Sequence, residues 1–195
     1  MANILERNKQ EQVIAALAEG SSIRSVERMT GIHRDTIMRL GVRIGQGCAN
    51  LMKATMRNLN LTHLELDEMW GFVGKKQHNF DKGIRHPEQG DFWVWCGIDR
   101  DTKLVPCFHV GKRTKEDARV FVADLAERVS GRIQISTDGL STYVDAVERA
   151  FANEVDYGQI VKTFESDPIG PGRYSPPRVV SVEEKSVGRH HHKPL

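Results

Sequence analysis

The sequence predicts an α/β protein in which an N-terminal helical bundle precedes a mixed sheet with flanking helices. Three observations lead there. The first 60 residues carry apolar side chains at helical spacing. Beyond them come three strand-like runs in succession, then alternating helical and strand-like segments. Two of those runs, Leu64–Trp70 and Ile135–Gly139, hold a carboxylate where a buried strand would carry an apolar residue. An ionised carboxylate in such a setting is costly unless paired or bound to metal, so the two runs together suggest one divalent-metal site.

The helical part reads in order. From Lys9 to Glu19, Val13, Ile14, Leu17 and Ala18 form one stripe, and Gly20 ends the helix. Ser22 can cap a second helix with Ile23, Val26 and Met29 facing inward. Thr30-Gly31-Ile32 is a tight turn, and a third helix starts near His33 with Ile37, Leu40 and Ile44 inside. Three helices with a glycine turn between the last two match a helix-turn-helix. In that arrangement Arg24, His33, Arg34, Thr36 and Arg39 are candidate DNA contacts, since the N-terminal end of the third helix enters the major groove. The plainer reading is a three-helix bundle with a basic outer face. Residues 41–60 read as a connecting helix or linker, weakened by Gly45 and Gly47.

Net charge is +2, unevenly placed: residues 1–60 hold nine basic and five acidic side chains, +4, which leaves −2 for the rest. A basic head on a mildly acidic body fits a polyanion-binding module joined to a second domain. No apolar run is long enough to span a bilayer, and Met1–Arg7 lacks the basic start and apolar stretch of a secretory signal. Cys48, Cys96 and Cys107 form no CxxC pair, so neither a zinc ribbon nor a disulfide framework is expected. The expected compartment is the cytoplasm, with no membrane partner.

The sheet part begins with a long strand over Leu61–Val73, then a polar loop through Pro87 and Gly90. A second strand covers Phe92–Ile98, a turn 99–103, and a third strand Leu104–Val110. Thr114 can cap a helix with Glu116 and Asp117 at its positive end. Arg132–Thr137 is a fourth strand, Ser141–Phe151 a helix, and Val155–Phe164 holds a fifth strand. Strand, strand, strand, helix, strand, helix, strand is the order of an RNase H-like domain. There the fourth strand lies beside the first, with Asp67 and Asp138 placed to share metal. Oxygen ligands favour Mg²⁺, with Mn²⁺ as a substitute, and two such ions would sit roughly 3.5–4 Å apart. Glu68 points to the opposite strand face from Asp67, so a salt bridge is its expected role. Asp99 reads as a turn residue, Trp93 and Trp95 as packing residues on one face. Lys75, Lys76, Lys112 and Arg113 either contact DNA phosphate or are solvated.

Glu65-Leu66-Asp67-Glu68-Met69-Trp70-Gly71-Phe72-Val73-Gly74-Lys75-Lys76 resembles the first catalytic block of insertion-sequence-one family transposases. Val110–Arg113, Ser136–Gly139 with Tyr143, and Tyr157–Lys162 resemble later blocks, and Gly31–Leu40 resembles the family's DNA-binding turn. The resemblance covers roughly residues 8–180. It implies a DDE-type transposase that cuts DNA at element ends and joins the freed 3′-hydroxyl to target DNA. Its catalytic and metal residues would be Asp67 and Asp138. Its partners would be terminal inverted repeats and target DNA, acting as a homodimer or larger assembly near the nucleoid of a bacterium or archaeon. The family's third acid, a Glu within a stretch like Tyr-Val-Glu-Arg-Gln-Asn, has no counterpart here, so the resemblance implies an RNase H-like domain that is incomplete at the C-terminus. The domain expectation is therefore 1–60 for DNA binding, 61–180 for catalysis, and 181–195, including His190–His192, as a disordered or frameshifted tail. The alternative function is a catalytically dead transposase remnant that only binds DNA, as an inhibitor.

Overall fold

The computed structural model describes residues 5–80, 88–152, 154–165 and 177–187. The chain divides into two compact units, Met1–Thr55 and Met56–Leu195. The first is helical: α1 (Arg7–Ala18), α2 (Ile23–Thr30) and α3 (Arg34–Thr55). Ser22 caps α2 by accepting a hydrogen bond from the Ser25 amide, and Gly31 closes it in the left-handed region at φ 67°. Val13, Val26, Ile32, Ile37 and Leu40 form the core, with Leu17 and Ile44 packed against it. One expectation needs correction. Ile23 is 37% and Met29 62% exposed rather than inward, and only Val26 of α2 is buried. Residues 41–55 are helical, as the sequence suggests, but they extend α3, which runs unbroken through Gly45 and Gly47 to Thr55.

The second unit is built on a six-stranded mixed sheet in the order β3-β2-β1-β4-β5-β6. Its strands are β1 (His63–Val73), β2 (Gly90–Asp99), β3 (Phe108–Gly111), β4 (Ile133–Asp138), β5 (Val155–Glu165) and β6 (Arg178–Val187). β1, β2 and β3 form an antiparallel meander, β4 lies parallel to β1, and β5 parallel to β4. The parallel pairs are spanned by α4 (Lys115–Ala126) and α5 (Thr142–Phe151). Thr114 caps α4, its hydroxyl accepting from the Asp117 amide.

Alternation along the strands sorts the two faces. Leu64, Leu66, Trp95, Ile133 and Ile135 point to the face that packs Phe121 and Leu125 of α4 and Tyr143 and Val147 of α5. Trp95 is fully buried with its ring 5.6 Å from Tyr143, edge to face. The third strand begins later than expected. Pro106 has no amide hydrogen to give a ladder, Lys103 sits at φ 63°, and pairing starts only at Phe108. Asp99 does turn the chain, but from a buried position, where its carboxylate accepts from the Thr102 amide and hydroxyl.

One strand runs into the expected tail from the Val179–Val182 segment, which reads as extended chain. Residues 181–187, expected to open a disordered or frameshifted tail, form the second half of β6, which pairs antiparallel with β5 from Tyr157–Val187 to Glu165–Arg178. Its Val-Val-Ser-Val start has the right residues for a strand, and pairing along β5 supplies the backbone partners that local pattern cannot reveal. Residues 188–195, including His190–His192, lie outside the described residues.

Candidate metal centre

Asp67 and Asp138 are carried by neighbouring parallel strands. Glu65 pairs with Ser136 and Leu66 with Thr137, so the next step along both strands sets Asp67 beside Asp138. Both point to the sheet face opposite the α4–α5 core, and both are exposed. The Asp67 carboxylate accepts from the Glu68 amide at 2.8 Å, and that of Asp138 from the Leu140 amide at 2.9 Å. The end of β4 is fixed from β5: Gln159 donates to the Asp138 carbonyl at 3.0 Å, and the Thr137 hydroxyl pairs with the Tyr157 hydroxyl at 2.9 Å. Gly139 lets Val161 pack close; a Cβ there would meet its methyls at 3.3 Å.

Glu68 joins these two. One carboxylate oxygen from each of Asp67, Glu68 and Asp138 lies within 4.8 Å of the others, the one such cluster of metal-ligating side chains among the described residues. Its side chain is 2% exposed. Glu68 is paired to Trp95 in the ladder and belongs to the core face. β4 pairs with β1 only as far as Leu66–Thr137, so past that point no strand separates the two faces and carboxylates from both can converge. Alternation therefore gave the face of Glu68 and missed its proximity to the aspartates.

Arg113, just past β3, ties the cluster together. Its Nε donates to Glu68 Oε2 at 3.2 Å, its second guanidinium nitrogen lies 3.1 Å from the same oxygen, and that nitrogen lies 3.7 Å from Asp138 Oδ2. The salt bridge expected of Glu68 is thus present, with Arg113 as its partner. Burial pushes the Glu68 carboxyl above its ordinary range; Tyr143 and Arg113 oppose that rise, and the nearby charge of Asp138 adds to it. The Tyr143 hydroxyl faces the carboxylate, yet neither it nor Glu68 Oε1 completes a hydrogen bond of normal geometry. A buried carboxylate oxygen that lacks a hydrogen bond of normal geometry can accept a cation as well as a hydroxyl. Three carboxylates supply the hard oxygen ligands that divalent ions such as Mg²⁺ and Mn²⁺ take, so the donor set fits such an ion.

Asp67, Arg113, Asp138, Gln159 and Lys162 line one open depression. The candidate DNA contacts Arg24, His33, Arg34 and Arg39 are exposed on the helical unit, and Thr36 is half-buried there. No helix is long and apolar enough to cross a membrane among the described residues.

No protein-family model matches the chain, and no curated protein matches it by sequence. Among solved structures it is similar to the piggyBac transposase in a synaptic complex with hairpin DNA, at 14% identity and a TM-score of 0.45, over 87% of this chain and 44% of that one. The chain thus spans less than half the length of that transposase chain.

Proposed function

We propose that this chain is a DDE-type DNA transposase related to the insertion-sequence-one family, with an RNase H-like catalytic domain over residues 61–180 and a helix-turn-helix over the first 60. The observation that carries the reading is the carboxylate cluster of Asp67, Glu68 and Asp138 on adjacent strands. Its support from sequence is the ordered set of motif blocks around those same residues.

In this reading Asp67 and Asp138 hold Mg²⁺, or Mn²⁺ in its place, and Glu68, beside Asp67 in the first block, supplies a third carboxylate, although it is not the later Glu of the family pattern. The metal, when bound, would neutralise charge on the attacked phosphodiester and on the leaving oxygen. Arg113 stands beside Asp138 and Glu68, where its guanidinium can orient a phosphate. Hydrolysis at the element end frees a 3′-hydroxyl, which then displaces a 3′-oxygen at a target phosphodiester. Arg24, His33, Arg34, Thr36 and Arg39 would hold the terminal inverted repeats, and pairing two ends calls for at least two copies of the chain.

The test is cleavage of a duplex bearing the inverted repeats with Mg²⁺ and with chelator. Nicking should require the metal and should vanish in Asp67→Asn and Asp138→Asn, both of which should still bind the duplex. Binding without nicking by the unaltered chain would overturn the catalytic reading in favour of a DNA-binding remnant.

A further inference from the structure

We infer that the free end of the β1–β2 ribbon is a stacking platform for unpaired nucleotides of DNA. It builds on the proposed action on DNA and concerns a surface that reading does not use. β1 continues for five residues beyond Glu68, paired to β2 up to Val73–Gly90, whereas β4 pairs with β1 only up to Leu66 and β3 reaches β2 only between Trp93 and Cys96. The ribbon therefore runs on past both of its neighbours.

A ribbon this narrow has little core of its own, yet it displays large aromatics. Trp70 is 47% exposed and Phe72 45% exposed, with ring centroids 5.7 Å apart. Being two residues apart, they share a face and stand roughly 7 Å apart along the strand. Aromatic side chains two apart on an open sheet are how several modules stack successive bases of a single strand. Gly71 between them faces the other way, where the Phe92 ring covers it: an added Cβ would meet that ring at 2.7 Å. Phe92 thus backs the ribbon from the opposite face.

Charge at the same place selects the partner. Lys76 Nζ lies over the Trp70 ring, 5.1 Å from its centroid, and Lys75 Nζ over that of Phe80, 5.4 Å from its centroid, so ammonium groups sit over ring faces at this end of the ribbon. An apolar protein segment has no use for them, whereas a nucleotide offers a π-face to the ring and a phosphate to the lysine. The platform also borders the metal centre on one side. Trp70 lies two residues from Glu68 on the same strand face, and Arg113 is hydrogen-bonded to Glu68, so a strand stacked here approaches the centre from its Glu68–Arg113 side, with Asp67 and Asp138 on the other face of β1 and β4.

The experiment uses the full chain in chelator, with a fluorescently labelled oligothymidylate as probe. The unaltered chain should bind it, and the Trp70→Ala/Phe72→Ala pair should weaken binding by about twenty-five-fold or more, each lost base–aromatic contact being worth about fivefold to 150-fold. Because the double variant could misfold, the second measurement is tryptophan emission: oligothymidylate should quench it in the unaltered chain, and Trp70→Phe should lose most of that quench while still binding. Unchanged affinity in a folded double variant, no binding by the unaltered chain, or a loss of self-association in place of DNA binding would overturn the platform. Failure of the proposed catalysis reads out separately: metal-dependent nicking absent with oligothymidylate binding intact removes that function and leaves this surface.

Discussion

At Glu68 a carboxylate sits among Trp95 and Tyr143 with Arg113 as its cationic partner. Removing the cation leaves the carboxylate buried; removing both charges does not. Arg113 is 42% exposed, so water can partly replace it, and the loss stays below that of a fully buried pair. Arg113→Ala should therefore lower stability by about 1–2 kcal/mol, and Glu68→Gln in the same chain should recover most of it. Urea unfolding of the two single variants and the double variant forms the cycle that checks this. Additive losses would mean that the two side chains act independently.

Among the elements, α4 and α5 are joined at their solvent side by Asp145. Arg119 of α4 donates to it at 2.7 Å, and Arg149, one turn along α5, at 2.9 Å. The two guanidinium groups hold the Asp145 carboxyl below its ordinary value of 3.8, at about 2. A depressed folded-state value gives stability that is present above the unfolded value and lost as pH falls through the folded one. The contribution should thus be complete above pH 4 and disappear between pH 4 and 2. Asp145→Asn should flatten the fall of the melting temperature over that window relative to the unaltered chain. Parallel curves for the two proteins would show that the clamp adds nothing.

For the molecule as a whole, binding of a divalent ion to the folded state alone must raise its stability. With Mg²⁺ at a hundredfold excess over its dissociation constant the gain is about 2.7 kcal/mol. The melting temperature should rise with Mg²⁺, and Asp67→Asn and Asp138→Asn should remove the rise. A shift that survives both substitutions would place the ion elsewhere. Metal-coupled stability is a property of the assembled sheet, because no single segment carries more than two of the three acids.

Much of this was legible in the amino-acid order. Helix caps at Ser22 and Thr114, the turn at Gly31 and the alternation of Leu64, Leu66, Ile133 and Ile135 are near-neighbour properties, and they placed most elements and set both aspartates on strands. What the fold alone decided is long-range: the pairing of β6 with β5, Met29 as exposed, and Arg113 brought to Glu68 and Asp138 across 45 and 25 positions of chain. Local periodicity fixes the direction in which a side chain points, whereas the partner it meets depends on which strands lie side by side and where each one stops.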